Sequence, residues 1–353
     1  MITPSKTPPS LALPLWNSFA LSQPTPVPYS FNPSLFTFYQ KHFNWKPYYF
    51  LLYRNNKVAA LLPLVNTGEA WVSLPHFSYG GMLSQEALPE GKIIQEILER
   101  ISEGELSPGF YKINVEEINK TDIANPRSLF IRSFGNRHDE HFTKSEKVTY
   151  LFEINDKQSA FKTLNSNLRR KIRKASKEDF EIRIGKTELL NDFYSVYLKN
   201  IQLLHSLHYG KSFFNDLFDV WDFGGIHFYV VYQKNKPVAG ALTVSYQGFY
   251  ENLYFSTLPE VRNSYVSDWL HWQMIQHALE QKTMENIIYS LGRSTEFSSV
   301  HQYKTHWPVT VVPLYYYTNL KTTAQNPFYR KILKLLPRLL IKPISPRLIK
   351  HIY

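Results

Sequence analysis

The chain has 353 residues, of which 43% are hydrophobic and 20% charged, with a formal net charge of +11. That is enough for two ordinary domains with real cores, and it excludes an intrinsically disordered chain. The absence of cysteine excludes disulfides, thiolate metal ligands and a cysteine nucleophile, while the positive balance favours anionic partners without choosing among phosphates, nucleic acid and an acidic membrane surface.

No apolar run approaches the ~18 residues of a membrane span. Met1–Pro14 shows no basic segment followed by an apolar core, so no signal peptide is expected and the location reads as cytoplasmic.

Residues 1–30 are rich in Pro, Ser and Thr and read as an irregular surface arm. A first α/β unit, 31–154, follows. It contains a helix at Leu35–Phe43, a hairpin of strands Tyr48–Arg54 and Val58–Val65 turning at Asn55–Asn56–Lys57, and a short strand at Trp71–Leu74. A loop, Pro75–Gly81, leads to a helix over Gln85–Ser102. A strand at Phe110–Val115 follows, and the unit closes near Val148–Ile154.

The second unit, 155–320, opens with a helix over Ser159–Lys177. Its apolar positions Phe161, Leu164, Leu168, Ile172 and Ala175 are spaced by three and four, and seven Lys and Arg residues occupy its other faces. Helices at Leu189–Leu207 and Lys211–Trp221 precede three consecutive strands, Ile226–Gln233, Pro237–Ser245 and Gly248–Ser256. A long helix, Val266–Gln281, leads to strand Ile287–Ser290, and a strand pair is expected around Val309–Tyr317. The pattern is α+β with mixed sheets.

The order of several elements carries a resemblance. These are the basic helix Leu168–Ala175, the strand start Pro237–Val238–Ala239–Gly240, the Gly292–Arg293–Ser294 element and Tyr303–Lys304, with Leu74–Pro75 and Tyr79–Gly80–Gly81 in the first half. Together they resemble the Fem-type branch of GNAT-like acyltransferases, in which Phe-Lys stands where this chain has Tyr303–Lys304. The resemblance implies two tandem GNAT-like domains and transfer of an acyl group, often aminoacyl, to an amine. It also implies that the strands flanking helix 266–281 splay apart around the reacting groups. The helical coiled-coil arm of the transfer-RNA-dependent members is absent.

On this reading Arg293 and Lys304 are the catalytic candidates. Arg293 offers a guanidinium at a sheet edge, where two parallel hydrogen bonds can hold a phosphate or carboxylate. Lys304 sits in an aromatic surround that favours loss of its proton or tight binding of an anion. Arg169, Arg173, Tyr79, Gly80 and Tyr303 are the substrate-binding candidates. For the donor the candidates are Arg262, Asn263, Ser264 and Tyr254, with Ser264 or Ser267 as caps of helix 266–281, whose N-terminus can face phosphate. The segment Leu258–Val266 has no glycine, unlike the phosphate loop of acetyl-CoA enzymes. Glu251, Asp268, His271, His301 and His306 are titratable groups near the expected cleft, none of them singled out as a base. No His spacing suits a metal, so none is expected.

Within the tail 321–353, residues 328–353 alternate Leu, Ile and Pro with Lys and Arg, the pattern of short basic amphipathic helices that lie on an anionic membrane. The function expected is N-acyl transfer from acyl-CoA or aminoacyl-tRNA to an amino group of a phosphate-bearing, cell-envelope or polysaccharide precursor. The acceptor would be a small molecule or lipid-linked, met at the inner membrane face. Beside it stands a non-catalytic adaptor that keeps the scaffold; a transfer-RNA binder is the weakest reading.

Overall fold

In the computed structural model the described residues are 4–68, 71–84, 93–94, 97, 106–115, 129–134, 143–204 and 206–318. They form two compact units. One runs to Glu146 and resumes at Pro313; the other spans Lys147–Val312. The expected amphipathic tail, 321–353, lies outside the described residues. So does most of the expected helix 85–102, of which Ile93, Ile94 and Ile97 are helical and buried.

The first unit begins with β1 (Ser5–Thr7) and α1 (Pro9–Leu21). The expected irregular arm therefore contains a helix of 13 residues. Pro9 and Pro14 hide a helical stripe, Ala12, Trp16, Phe19 and Ala20, which is buried. Pro9 costs no hydrogen bond in the first turn, where its missing N–H has no intrahelical partner anyway. After α2 (Ser34–Phe43) come β2 (Lys46–Arg54), β3 (Lys57–Asn66), β4 (Trp71–Val72), β5 (Leu83–Ser84), β6 (Gly109–Asn114) and β7 (Leu129–Phe134). Asn55 and Asn56 take φ of 49° and 59°, the left-handed pair that lets a two-residue turn match the twist of β2 and β3. The sheet order is β1-β6-β2-β3-β4-β7, with β2–β6 and β4–β7 parallel and the other pairs antiparallel.

Strand β8 (Thr143–Ile154), read from the sequence as the close of the first domain, belongs to the second unit from Lys147 on. It pairs along Lys147–Ile154 with a later strand of this unit. The expected single helix 159–177 is two: α3 (Lys157–Thr163) and α4 (Ser166–Ala175). Asp156 caps the first through the amides of Gln158 and Ser159. Asn165 starts the second by accepting from Leu168 N at 2.8 Å. Next come β9 (Glu181–Gly185), α5 (Leu190–Leu203), α6 (Lys211–Val220), β10 (Ile226–Gln233), β11 (Lys236–Tyr246), β12 (Phe249–Thr257), α7 (Val266–Glu280), β13 (Ile287–Thr295) and α8 (Ser299–Lys304). The order is β8-β13-β12-β11-β10-β9, antiparallel except for β12–β13. Helices α3, α4 and α7 bury Ala160, Leu168, Ile172, Leu270, Met274 and Ile275 against one face of this sheet.

The chain ends its described part with β14 (Thr310–Thr318), one strand where a pair was expected. It runs antiparallel to β7 through Leu314↔Phe134. Both units are α+β with mixed sheets.

Candidate active site

The parallel strands β12 and β13 stay paired for only three residues, Phe249↔Ile288, Tyr250↔Tyr289 and Glu251↔Ser290. Beyond that point both strands deviate. The register of β12 against β11 jumps from Leu242↔Tyr254 to Thr243↔Asn252, leaving Leu253 as a bulge. That of β13 against β8 jumps between Ser290 and Arg293. The strands then continue to Thr257 and Thr295 without further pairing, which opens a gap between them. The Gly292–Arg293–Ser294 element, which lies beyond the expected strand Ile287–Ser290, is part of β13.

Gly292 sits in this gap with φ of +73°, a conformation only glycine adopts without strain. A Cβ there would lie 3.0 Å from the carbonyl oxygen of Asn252, 3.6 Å from Lys304 Nζ and 3.9 Å from Glu251 Oε1. The gap thus gathers an amine and a carboxylate about one backbone position.

Lys304 reaches this point from the end of α8, a helix that Ser298 starts by accepting from His301 N. Its side chain is buried, donates to the carbonyl oxygen of Arg293 at 3.2 Å and lies 5.2 Å from the centre of the Tyr150 ring. Burial pulls its ammonium down to about 8; the Glu251 carboxylate opposes that fall and Arg293 adds to it. Glu251 is 1% exposed. Near neutral pH the site therefore holds a positive charge with little water around it, ready to meet a developing negative charge. Arg293 is half-buried, with its backbone carbonyl on Lys304. Tyr150 closes the side of the site, its hydroxyl 2.5 Å from Ser294 Oγ and 2.8 Å from His301 Nδ1.

Asn252 leads away from the gap into α7. Its side-chain amide donates to His271 Nε2 at 3.1 Å, and His271 Nδ1 lies 3.1 Å from both Ser267 O and the Tyr303 hydroxyl. Burial drives the imidazole down to about 3, so it is neutral. Tyr303 also bonds Asp268, which faces Lys171 at 3.7 Å. The resemblance pointed to Tyr303, whereas His271 stood in the sequence only as one of five titratable groups near the expected cleft.

The N-terminus of α7 is capped by no side chain. Tyr265, not Ser264 or Ser267, occupies the cap position, in the left-handed region at φ 59°. Three cations of α4 surround the Tyr265 ring: Lys174 at 5.3 Å, Lys171 at 5.7 Å and Arg170 at 5.8 Å. Arg169 and Arg173, the two singled out in the sequence, turn elsewhere. Arg169 donates to Lys162 O, and Arg173 lies over Phe161 at 5.6 Å. The signal for the other three was the buried stripe Leu168–Ile172–Ala175, which positions 171 and 174 flank.

The remaining donor candidates are spread out. Arg262 ties down its own loop through Asn200 Oδ1 at 3.0 Å and Thr257 O at 3.1 Å. Asn263 is exposed and Ser264 half-buried on the short 3-10 turn Pro259–Ser264. Tyr254 packs edge-on against Tyr197, Phe213 and Phe214. Tyr79 and Gly80 belong to the first unit, where Tyr79 is buried edge-on to Tyr29 and the neighbouring Gly81 takes φ of +92°.

Residues 162–305 match the acetyltransferase (GNAT) domain family. Among solved structures the chain is similar to FemX, with 11% identity over 94% of this chain and 100% of that one at a TM-score of 0.59. A conserved protein of unknown function from Bacteroides thetaiotaomicron matches at 11% identity, 90% and 99% coverage and a TM-score of 0.55. A tandem GNAT protein from the clavulanic acid biosynthesis pathway matches at 7% identity, 90% and 98% coverage and a TM-score of 0.52. No curated protein matches the sequence. Among the described residues no cluster suits a metal ion, and no helix is long and apolar enough to cross a membrane.

Proposed function

We propose that this chain, a tandem GNAT protein of Fem-type fold, is an N-acyltransferase that works in the gap between β12 and β13. The observation that carries the reading is the buried ammonium of Lys304 beside Gly292 and Glu251. In the step envisaged, a neutral amine attacks the carbonyl carbon of an acyl donor, forming a C–N bond while the carbonyl electron pair moves to oxygen. Lys304 stabilises that oxyanion. The amine proton passes to Glu251 and from there to the leaving thiol or ribose hydroxyl as the C–S or C–O bond breaks. Arg293 carries a substrate anion at the edge of the gap.

The donor is acyl-CoA or aminoacyl-tRNA. Its phosphates are met by Arg170, Lys171 and Lys174 together with the open N-terminus of α7. The acceptor is an amino group on a phosphate-bearing cell-envelope or polysaccharide precursor, small or lipid-linked, a class that suits the net charge of +11. The enzyme would then act on the cytoplasmic side, with the basic segment 321–353 against the inner membrane face. Lys304→Ala is expected to lower transfer roughly 10²–10³-fold, and Arg293→Ala to weaken it, with unchanged circular dichroism; full turnover in both variants would remove the assignment.

One observation favours a non-catalytic adaptor instead. The loop before α7 has no glycine, and its Arg262 is occupied by Asn200 and Thr257. Calorimetric titration with acetyl-CoA and with charged tRNA separates the two: an adaptor binds neither.

A further inference from the structure

At the opposite end of α7 the second unit holds a cavity of about 500 Å³, within the ~300–1,000 Å³ typical of small-molecule sites. Its walls come from the start of β10, the end of β11, the start of β12 and the C-terminal turn of α7. Its lining includes none of Glu251, Asn252, Gly292, Arg293 and Lys304, and α7 rises about 9 Å from His271, which bonds Asn252 beside the gap, to His277 in the cavity wall. The cavity is thus distinct from the gap that holds Lys304.

Its floor is built from groups that both give and take hydrogen bonds. The Tyr229 hydroxyl lies 2.6 Å from His277 Nδ1 and 3.5 Å from Thr243 Oγ1, which leaves His277 Nε2 for a ligand. The His227 ring meets His277 edge-on at 4.9 Å, and among the described residues no hydrogen bond holds it. Burial takes His227 down to about 4 and also lowers His277, so both imidazoles are neutral near pH 7, each with one N–H and one lone pair. The charged groups that face them are Lys186, which lowers His227, and Glu280, which raises His277. No carboxylate lines the cavity, so a cationic ligand finds no counter-charge there.

The rim is aromatic. Trp221 and Phe223 line it, and Phe223 is 50% exposed with φ of +58°. A large side chain held in the left-handed region at a cavity mouth is the kind of strain that the surrounding structure must enforce. The next residue enforces it: a Cβ at Gly224 would strike the carbonyl oxygen of Ser245 at 2.0 Å, so the backbone there is packed directly on β11.

We propose that this cavity is a second binding site, for one pyranose ring of an uncharged carbohydrate. The face of the sugar lies on Phe223, and its hydroxyls pair with His227, His277 Nε2 and the hydroxyls of the floor. A free sugar and the sugar unit of a larger glycoconjugate share this chemistry. The inference does not rest on the acyl-transfer reading, since no residue of the gap takes part.

Saturation-transfer NMR on the full chain tests it, with glucose, galactose and N-acetylglucosamine as probes and inorganic phosphate as competitor. At least one sugar is expected to receive saturation. Phe223→Ala, which removes an exposed ring, and His227→Phe should each weaken that binding roughly tenfold or more, with unchanged circular dichroism. Binding that is flat between pH 7 and 8 is expected because the imidazoles are neutral there. Absence of transfer to all three sugars would overturn the proposal. So would displacement of the sugar by phosphate, or equal binding in both folded variants.

Discussion

Lys304 Nζ donates a 3.2 Å hydrogen bond to the backbone carbonyl of Arg293, joining the end of a short helix to a strand that has just left its parallel neighbour. This bond fixes the ammonium inside the gap rather than at its rim, and the chemistry proposed here depends on that placement.

The ammonium should set the alkaline limb of the activity profile. Its value is pulled to about 8, and oxyanion stabilisation needs the protonated form. Transfer should therefore fall as pH rises through about 8, and a Lys304→Arg variant, if it turns over at all, should lose that limb. Stability should move the other way. An unfolded lysine keeps its ordinary value near 10.5, so between about 8 and 10.5 the unfolded chain holds a proton that the folded chain has released. Stability contributed by this group rises with pH across that window, and denaturant titrations of Lys304→Met should lack the rise.

Gly292→Ala tests the closeness of the gap. The substitution places a methyl 3.0 Å from Asn252 O in a backbone region hostile to side chains. A loss of about 1–3 kcal/mol in denaturant unfolding is expected, together with weaker transfer, because the methyl also points at Lys304 Nζ and Glu251.

His271 should govern acid stability in the second unit. Its folded value, about 3, lies well below the usual 6.5. As pH falls through 6.5 toward 3 the unfolded chain gains a proton that the folded chain refuses, so stability is lost on acidification. His271→Gln keeps a polar partner for Asn252 and removes the titration. Its melting temperature should decline less than that of the parent chain between pH 7 and 5.

Replacing Arg170, Lys171 and Lys174 together with Gln should act on donor binding. KM for an anionic donor is expected to rise roughly tenfold or more, with kcat nearly unchanged and a weaker dependence on salt. The same change at Arg169 and Arg173, which face away from Tyr265, should have the smaller effect on KM.

Much of the second unit was legible because its local rules agree with one another. The three consecutive strands expected at Ile226–Gln233, Pro237–Ser245 and Gly248–Ser256 are β10, β11 and β12, joined by tight turns whose residues Lys234, Asn235, Gln247 and Gly248 take positive φ. Lys304 was legible through its aromatic surround and the family pattern. The break between α3 and α4 was not, because the three-and-four spacing runs unbroken from Phe161 to Ala175 and only the side chain of Asn165, bonded to Leu168 N, interrupts it. Strand β9 was missed because Ile182 and Ile184 are its only apolar residues, too short an alternation to register. The cations around Tyr265 were hidden for a different reason. Seven basic residues on one stretch look alike until the buried stripe fixes which of them flank α7.

The central claim is that Lys304 stabilises the oxyanion of acyl transfer. It is tested most directly by measuring kcat and KM of the full chain and of Lys304→Met, with labelled acetyl-CoA and labelled aminoacyl-tRNA as donors and a panel of amino-bearing phosphorylated acceptors. The parent chain should transfer, and kcat of the variant should fall roughly 10²–10³-fold at little change in donor KM. Transfer by Lys304→Met at the parent rate would contradict it.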